Sequence, residues 1–299
     1  MQSNKNWLNI ILFSLLSFIW GSSFILMKLG LYDKAGNAVL SPYQVASLRL
    51  LSAGIVLLPV AIQKLKILPR DKIWVIILSG LLGSFFPAYL FCIAETKIDS
   101  SLAASINALT PFFTIIFGFV LFRSVIAVIK IIGILIGLSG CIGLLFSKKM
   151  GVNENIFYSV FVVCATIFYA LNVNLVRHRL KDIGSTTIAA FAFTSLIIPA
   201  IIILHYTGYF GLPFQDAVYL KATLASIVLG VIGTAIASII FYMMVKRGGV
   251  IFASMVTYAI PFVALFWGWL AGENITVMQV ICLMVILVGV YVANVEKKR

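Results

Sequence analysis

The chain has 299 residues, of which 62% are hydrophobic and only 10% charged, with a formal net charge of +13. Soluble domains carry ~25% charged and ~45–50% apolar residues, so this composition excludes an ordinary soluble enzyme, a disordered chain and a nucleic-acid-binding module. Too little polar surface is available to face water, and lipid is the remaining solvent.

A spanning helix needs ~20 apolar residues, and ten segments meet that length. They begin near Leu8, Pro42, Lys72, Ser101, Ala127, Ile156, Thr186, Lys221, Gly249 and Val277. They end near Leu29, Ile62, Phe91, Leu121, Phe146, Val176, Tyr206, Met244, Leu270 and Val295. The first resembles a signal peptide in outline, but equally apolar segments follow it, so it reads as a spanning helix. Runs such as Ile131 to Leu138 do not alternate, which favours helices over the strands of a closed barrel. The connections are short and leave little chain for a soluble domain. Cys92, Cys141, Cys164 and Cys282 all lie inside apolar runs, where they act as small hydrophobes and not as disulfide partners or metal ligands.

The loop charges give an orientation. With the N-terminus cytoplasmic, 15 Lys and Arg fall on the cytoplasmic side and six on the outer side, with Arg49 alone inside a helix. With the acids included, the inner face carries +12 and the outer face zero. The expected location is the bacterial cytoplasmic membrane, with both termini cytoplasmic.

The sequence also repeats. A shift of 150 residues superposes Gly80 on Gly230, Gly83 on Gly233, Phe91 on Phe241, Ala103 on Ala253, Pro111 on Pro261, Phe112 on Phe262 and Gly118 on Gly268. A shift of 149 places Trp20 on Tyr169 and Lys28 on Arg177. Each half, 1–150 and 151–299, then holds five helices. Five is odd, so the second half enters the membrane from the opposite side, the inverted-repeat arrangement of many secondary transporters.

Several stretches resemble a known family. WGSSFILMK (Trp20 to Lys28) and SLRLLSAGIVLLP (Ser47 to Pro59) look like the first and second helices of EamA-type proteins in the drug/metabolite transporter superfamily. SLAASINALTPFFTIIFGFVLF (Ser101 to Phe122) and IFASMVTYAIPFVALFWGWLAGENI (Ile251 to Ile275) resemble the fourth and ninth. The family commonly ends these two helices with Gly-Glu. The second half keeps Gly272-Glu273, whereas the first has Phe122-Arg123. The resemblance implies ten helices, cytoplasmic termini and movement of small organic metabolites.

Among candidate site residues, Arg49 is the clearest outlier. It lies about eight residues, or ~11 Å, into the second helix, where an unpaired charge costs ~2.5 kcal/mol or more. It either binds an anionic group of a solute or pairs with helix-end carbonyls to lock a closed state. Pro111 and Pro261 are expected to kink their helices, with Asn107, Thr257 and Tyr258 lining water nearby. Gly80, Gly83, Gly230 and Gly233 are expected at close helix contacts. Of two embedded asparagines, Asn172 is preferred over Asn174, since it shares a face with Tyr169. The substrate cavity is expected near Trp20, Arg49, Tyr89, Asn107, Tyr169, Asn172, Thr257 and Tyr258.

No acid is expected deep in any helix. Glu95, Asp99 and Glu273 are read as shallow, solvated charges on the outer side, so a coupling proton stays open as a partner. GLSG (Gly137 to Gly140) resembles an intramembrane serine-protease motif, but His178 and His205 lie at the wrong depth for Ser139. No HExxH, phosphate loop or metal-spaced Cys/His set occurs, so neither a metal nor another cofactor is expected. The Asn274–Thr276 sequon abuts the tenth segment and carries little meaning. The reading is an all-α polytopic membrane protein of ten helices in two inverted repeats. It is expected to move a small metabolite by alternating access, with export the expected direction. A channel or a small-molecule receptor is the alternative.

Overall fold

The computed structural model describes residues 2–98, 100–147, 157–270 and 276–294. Among them there is no strand, only one isolated bridge between Tyr32 and Ala38. In chain order the helices are α1 (Gln2–Leu31), α2 (Pro42–Lys64), α3 (Ile73–Gly80), α4 (Phe86–Ala94), α5 (Ser100–Asn107), α6 (Thr110–Phe122) and α7 (Val128–Ser147). They continue as α8 (Ser159–Arg179), α9 (Ser185–Ser195), α10 (Ile197–Tyr206), α11 (Ala217–Gly230), α12 (Ala237–Ser254), α13 (Val256–Leu270) and α14 (Val277–Asn294). Among the described residues seven helical stretches are long and apolar enough to cross a membrane, and three shorter ones, Val128–Gly143, Val256–Trp267 and Val280–Ala293, are apolar too.

Local chemistry sets the boundaries. Ser41 and Gln44 form a reciprocal capping box at the start of α2, with Pro42 in its first turn, satisfying donors that would otherwise be orphaned. Asp216 caps α11 by accepting from the Val218 amide at 2.9 Å. The stretch Ala217–Ser254 has 38 residues, roughly 57 Å of helix at 1.5 Å per residue. That is nearly twice the hydrocarbon thickness. Helical geometry breaks within it at Gly249, with φ 87° and ψ 171°, a conformation natural only to glycine.

Two spans carry π-helical turns, Leu81–Phe85 between α3 and α4 and Val231–Ile236 between α11 and α12. Each follows a glycine, Gly80 or Gly230, and the two turns start 150 residues apart. Short i→i−3 steps show the same spacing. The Ala108 amide donates to the Ser105 carbonyl, and the Tyr258 amide to the Met255 carbonyl, at 3.2 and 3.0 Å. Each step lies three residues before a proline. At Pro111 the result is a full break between α5 and α6, more than the kink expected; Pro261 sits inside α13.

The helices pack pairwise. The most extensive contact joins α7 to α14, followed by α2 with α9, α1 with α13 and α6 with α8. Small residues allow it: a Cβ on Gly289 would lie 2.3 Å from the Gly137 nitrogen. Many large apolar side chains point outward, among them Ile55, Trp74, Phe119, Ile198 and Ile281. The buried set is mostly apolar but also includes many Ser and Thr, with Asn107, Asn172, Asn174, Arg49 and Glu95. Large apolar groups facing outward and polar groups held inside suit a bundle whose outer solvent is lipid.

Candidate functional site

A cavity opens among α1, α2, α4, α5, α6, α8, α12, α13 and the π-helical turn at Gly83. One stripe of α1 faces it, Trp20, Ser23, Phe24 and Met27, because residues three and four apart share a helix face. The aromatic walls interlock. Trp20 meets Phe241 at 5.2 Å between centroids, while Phe91 meets Phe24 at 6.0 Å and Tyr169 at 6.1 Å.

Arg49 lines this cavity at 8% exposure. Its Nε donates to the Thr234 hydroxyl at 2.6 Å, and its guanidinium interacts with the Tyr169 hydroxyl. Thr234 lies in the second π-helical turn and donates to the Leu229 carbonyl. The guanidinium is thus held by the hydroxyls of Thr234 and Tyr169, and no bond from it to a helix-end carbonyl is found among the described residues. Among the described residues Arg49 forms no ion pair.

Six of the eight residues expected at the cavity line it: Trp20, Arg49, Asn107, Tyr169, Asn172 and Thr257. Two do not. Tyr89 turns away to hydrogen-bond Ser47 at 2.7 Å and packs on Phe85. Tyr258 is fully buried against Gly137 and donates to the Ile134 carbonyl at 2.9 Å. The asparagines divide. Asn172 accepts from Ser79 at 2.6 Å at the cavity edge, whereas Asn174 donates to the Thr114 and Ala170 carbonyls. Pro111 leaves the Asn107 carbonyl without its helical donor, and the Thr110 hydroxyl supplies one at 2.7 Å.

The four repeat glycines stand at close approaches. A Cβ on Gly80 would meet the Ala192 carbonyl at 2.9 Å, and one on Gly230 the Arg49 carbonyl at 2.4 Å. Gly83 faces the Asn172 amide and Gly233 the Ser23 hydroxyl.

Sequence reasoning missed Ser23, Phe24, Met27, Phe91, Thr110, Ser238, Phe241, Tyr242, Ser254 and Ile260, which also line the cavity. The repeat was the available signal. Phe91 and Phe241, Asn107 and Thr257, and Thr110 and Ile260 are related by 150 residues, and Ser23 and Asn172, like Trp20 and Tyr169, by 149.

Glu95 requires a correction. It is not a solvated loop charge but fully buried, at 0% exposure. The turn after α4 folds under α1, where Lys28 Nζ donates to the Glu95 main-chain carbonyl at 2.8 Å. Asp99, Glu273 and the Asn274 sequon lie outside the described residues. Ser139 donates to the Ile136 carbonyl at 2.8 Å, and His178 stacks on Phe122 at 4.7 Å, so the two are not paired.

Comparison with known proteins bears on this geometry. A solved crystal structure superposes with a TM-score of 0.71 over 96% of each chain at 16% identity, a likeness of fold alone. The chain is 27% identical over 277 residues to an S-adenosylmethionine/S-adenosylhomocysteine transporter of Chlamydia muridarum, covering 89% of this chain and 85% of that one. It is 24% identical over 264 residues to an uncharacterized transporter of Clostridium kluyveri, covering 85% and 84%. The sequence model of the EamA-like transporter family matches twice, at residues 7–146 and 156–295. These relatives are named as transporters and not as enzymes. The chain is an integral, multi-pass membrane protein, and it belongs to the EamA-like transporter family.

Proposed function

We propose that this transporter moves a small metabolite carrying a carboxylate and an aromatic or apolar body, by alternating access around the Arg49 cavity. The observation that carries the reading is a cavity-lining guanidinium that has no ion-paired acid among the described residues, held by Thr234 beside aromatic walls. A buried guanidinium that forms no ion pair suits an anionic group of a solute. Trp20, Phe91, Tyr169 and Phe241 offer flat faces to a ring.

In this reading all ten apolar segments span the membrane as two inverted five-helix repeats, divided near residue 150. Paired contacts support it. α1 packs on α13 as α8 packs on α6, and α2 packs on α11 as α9 packs on α3. The first π turn reaches the cavity at Gly83, and the second supplies Thr234 to the lining residue Arg49. Rocking of such halves gives two states of similar energy, each open to one face. The bacterial cytoplasmic membrane, with both termini cytoplasmic, and export as the direction complete the proposal.

S-adenosylmethionine, the solute named for the Chlamydia muridarum relative, is the first probe, since it joins an amino-acid carboxylate to an aromatic base. Proteoliposomes preloaded with the unlabelled compound are expected to take up labelled compound by saturable counterflow. Arg49→Gln should raise KM about 10- to 100-fold, the worth of one charge-assisted contact. Absence of counterflow for this compound and for a panel of carboxylate-bearing metabolites overturns the reading. Flux far above transporter turnover would indicate a channel.

A further inference from the structure

The buried carboxyl of Glu95 has no role in the cavity just described. Glu95 stands one turn beyond the lining residue Phe91 on the same helix face. Its Oε2 accepts from the Ser100 hydroxyl at 3.3 Å, while Oε1 is buried without a partner. An acid held in this way is costly when charged. The turn that carries it is latched to α1. Lys28 Nζ donates to the carbonyls of Glu95 and Ile98 at 2.8 and 3.4 Å, and the Tyr32 hydroxyl donates to the Thr96 carbonyl at 3.1 Å.

The other half of the chain has a looser, exposed counterpart of this latch, made on α12 and without the acid. Arg177, the repeat partner of Lys28, donates to the Lys246 carbonyl at 3.4 Å, and residue 246 is the counterpart of Thr96. The position matching Glu95 is Val245, also fully buried. An aliphatic side chain is thus buried at the matching position, on helical backbone where the first half has a turn. An acid buried where the other half carries an aliphatic group, with one oxygen unpartnered, points to a proton.

We propose that Glu95 is a proton-binding site of the transporter, holding its proton while the turn is closed on α1 and losing it when the two separate. The proposal deepens the alternating-access reading by making one of its two latches proton-dependent. Burial pushes the Glu95 carboxyl up to about 8, with Lys28, Ser100 and Arg49 each lowering it in turn. The titratable and charged groups around it are Lys28 and Tyr32 of α1, Arg49 of α2, Cys92 of α4 and the exposed Lys97 of its own turn. The sign follows from which state holds the proton more tightly. The closed turn binds it near 8 and a solvated carboxylate near 4.5. Closure is therefore complete at low pH and weakens up to about tenfold per pH unit across that window. An anionic group bound at Arg49 removes positive potential facing Glu95 and favours the proton. By linkage the proton favours the anion equally.

The test uses the full chain in lipid nanodiscs with no solute. Infrared spectroscopy of the protonated-carboxyl stretch, titrated from about pH 5 to 10, should show a band lost near pH 8. The band should be missing in Glu95→Gln, present in Glu95→Asp, and displaced to higher pH in Arg49→Gln. No protonated carboxyl above about pH 6, or a band that survives in Glu95→Gln, overturns the proposal. Amide exchange of residues 95–98, corrected for its intrinsic pH dependence, should accelerate between about pH 6 and 8 in the wild type and stay flat in Glu95→Gln. Equal acceleration in the variant overturns the latch. Because no solute enters either measurement, a failed solute assignment and a failed Glu95 assignment are told apart.

Discussion

At the scale of single residues, the electrostatics of this protein rest on how Arg49 is held. The Nε–Thr234 bond of 2.6 Å fixes the plane of the guanidinium, leaving its terminal nitrogens for Tyr169 and the cavity. Lysine keeps the charge but has no Nε–H and no planar fork. Arg49→Lys is therefore expected to bind a carboxylate solute several-fold to about tenfold more weakly, and less severely than Arg49→Gln. Thr234→Val removes the same anchor from the other side. A double-mutant cycle on KM for S-adenosylmethionine counterflow should show the two changes to be non-additive. Additive effects would mean that Thr234 does not orient the guanidinium.

At the scale of elements, the bundle depends on backbones that approach closely at glycine. A Cβ on Gly230 would fall 1.8 Å from the Ser52 hydroxyl and 2.4 Å from the Arg49 carbonyl, whereas one on Gly211 meets nothing within 4 Å. Gly230→Ala must push α11 from α2, at a cost of roughly 1–3 kcal/mol. It should lower the melting temperature of the purified protein, while Gly211→Ala leaves it unchanged. Equal melting temperatures would remove close packing as the reason for this glycine. These contacts also show what the sequence made legible. The Gly and Pro spacing exposed the repeat, and Pro42 and Gly249 marked real boundaries, because each encodes a local backbone requirement. The π turns have no such code. They were visible only as glycines, although they place Thr234 toward Arg49. Tyr258 was misplaced because one residue on a helix turns the side chain by ~100°, so it leaves the face used by Thr257. Glu95 was misread because depth was counted from the helix end, and the folding of the turn under α1 is a tertiary fact.

At the scale of the whole molecule, charge gives the orientation its own test. The cytoplasmic assignment collects 15 Lys and Arg against six, and short loops are the ones to which the positive-inside rule applies. The pattern also differs between the halves. In the first, basic groups follow the second and fourth apolar segments, as Lys64 to Lys72 and Arg123 to Lys130. In the second, they follow the first and third of that half, as Arg177 to Lys181 and Lys246 to Arg247. A duplication in the same orientation would place them after the same segments. The offset of one segment is what an inverted second half requires. A fluorescent-protein fusion after Arg299 should therefore glow, because the fold matures in the cytoplasm. Alkaline phosphatase inserted after Phe214, between α10 and α11, should be active, since it needs the oxidising outer side. The reverse pair of results would invert the assignment, and two signals from the same side would break the odd helix count on which the inverted repeat depends.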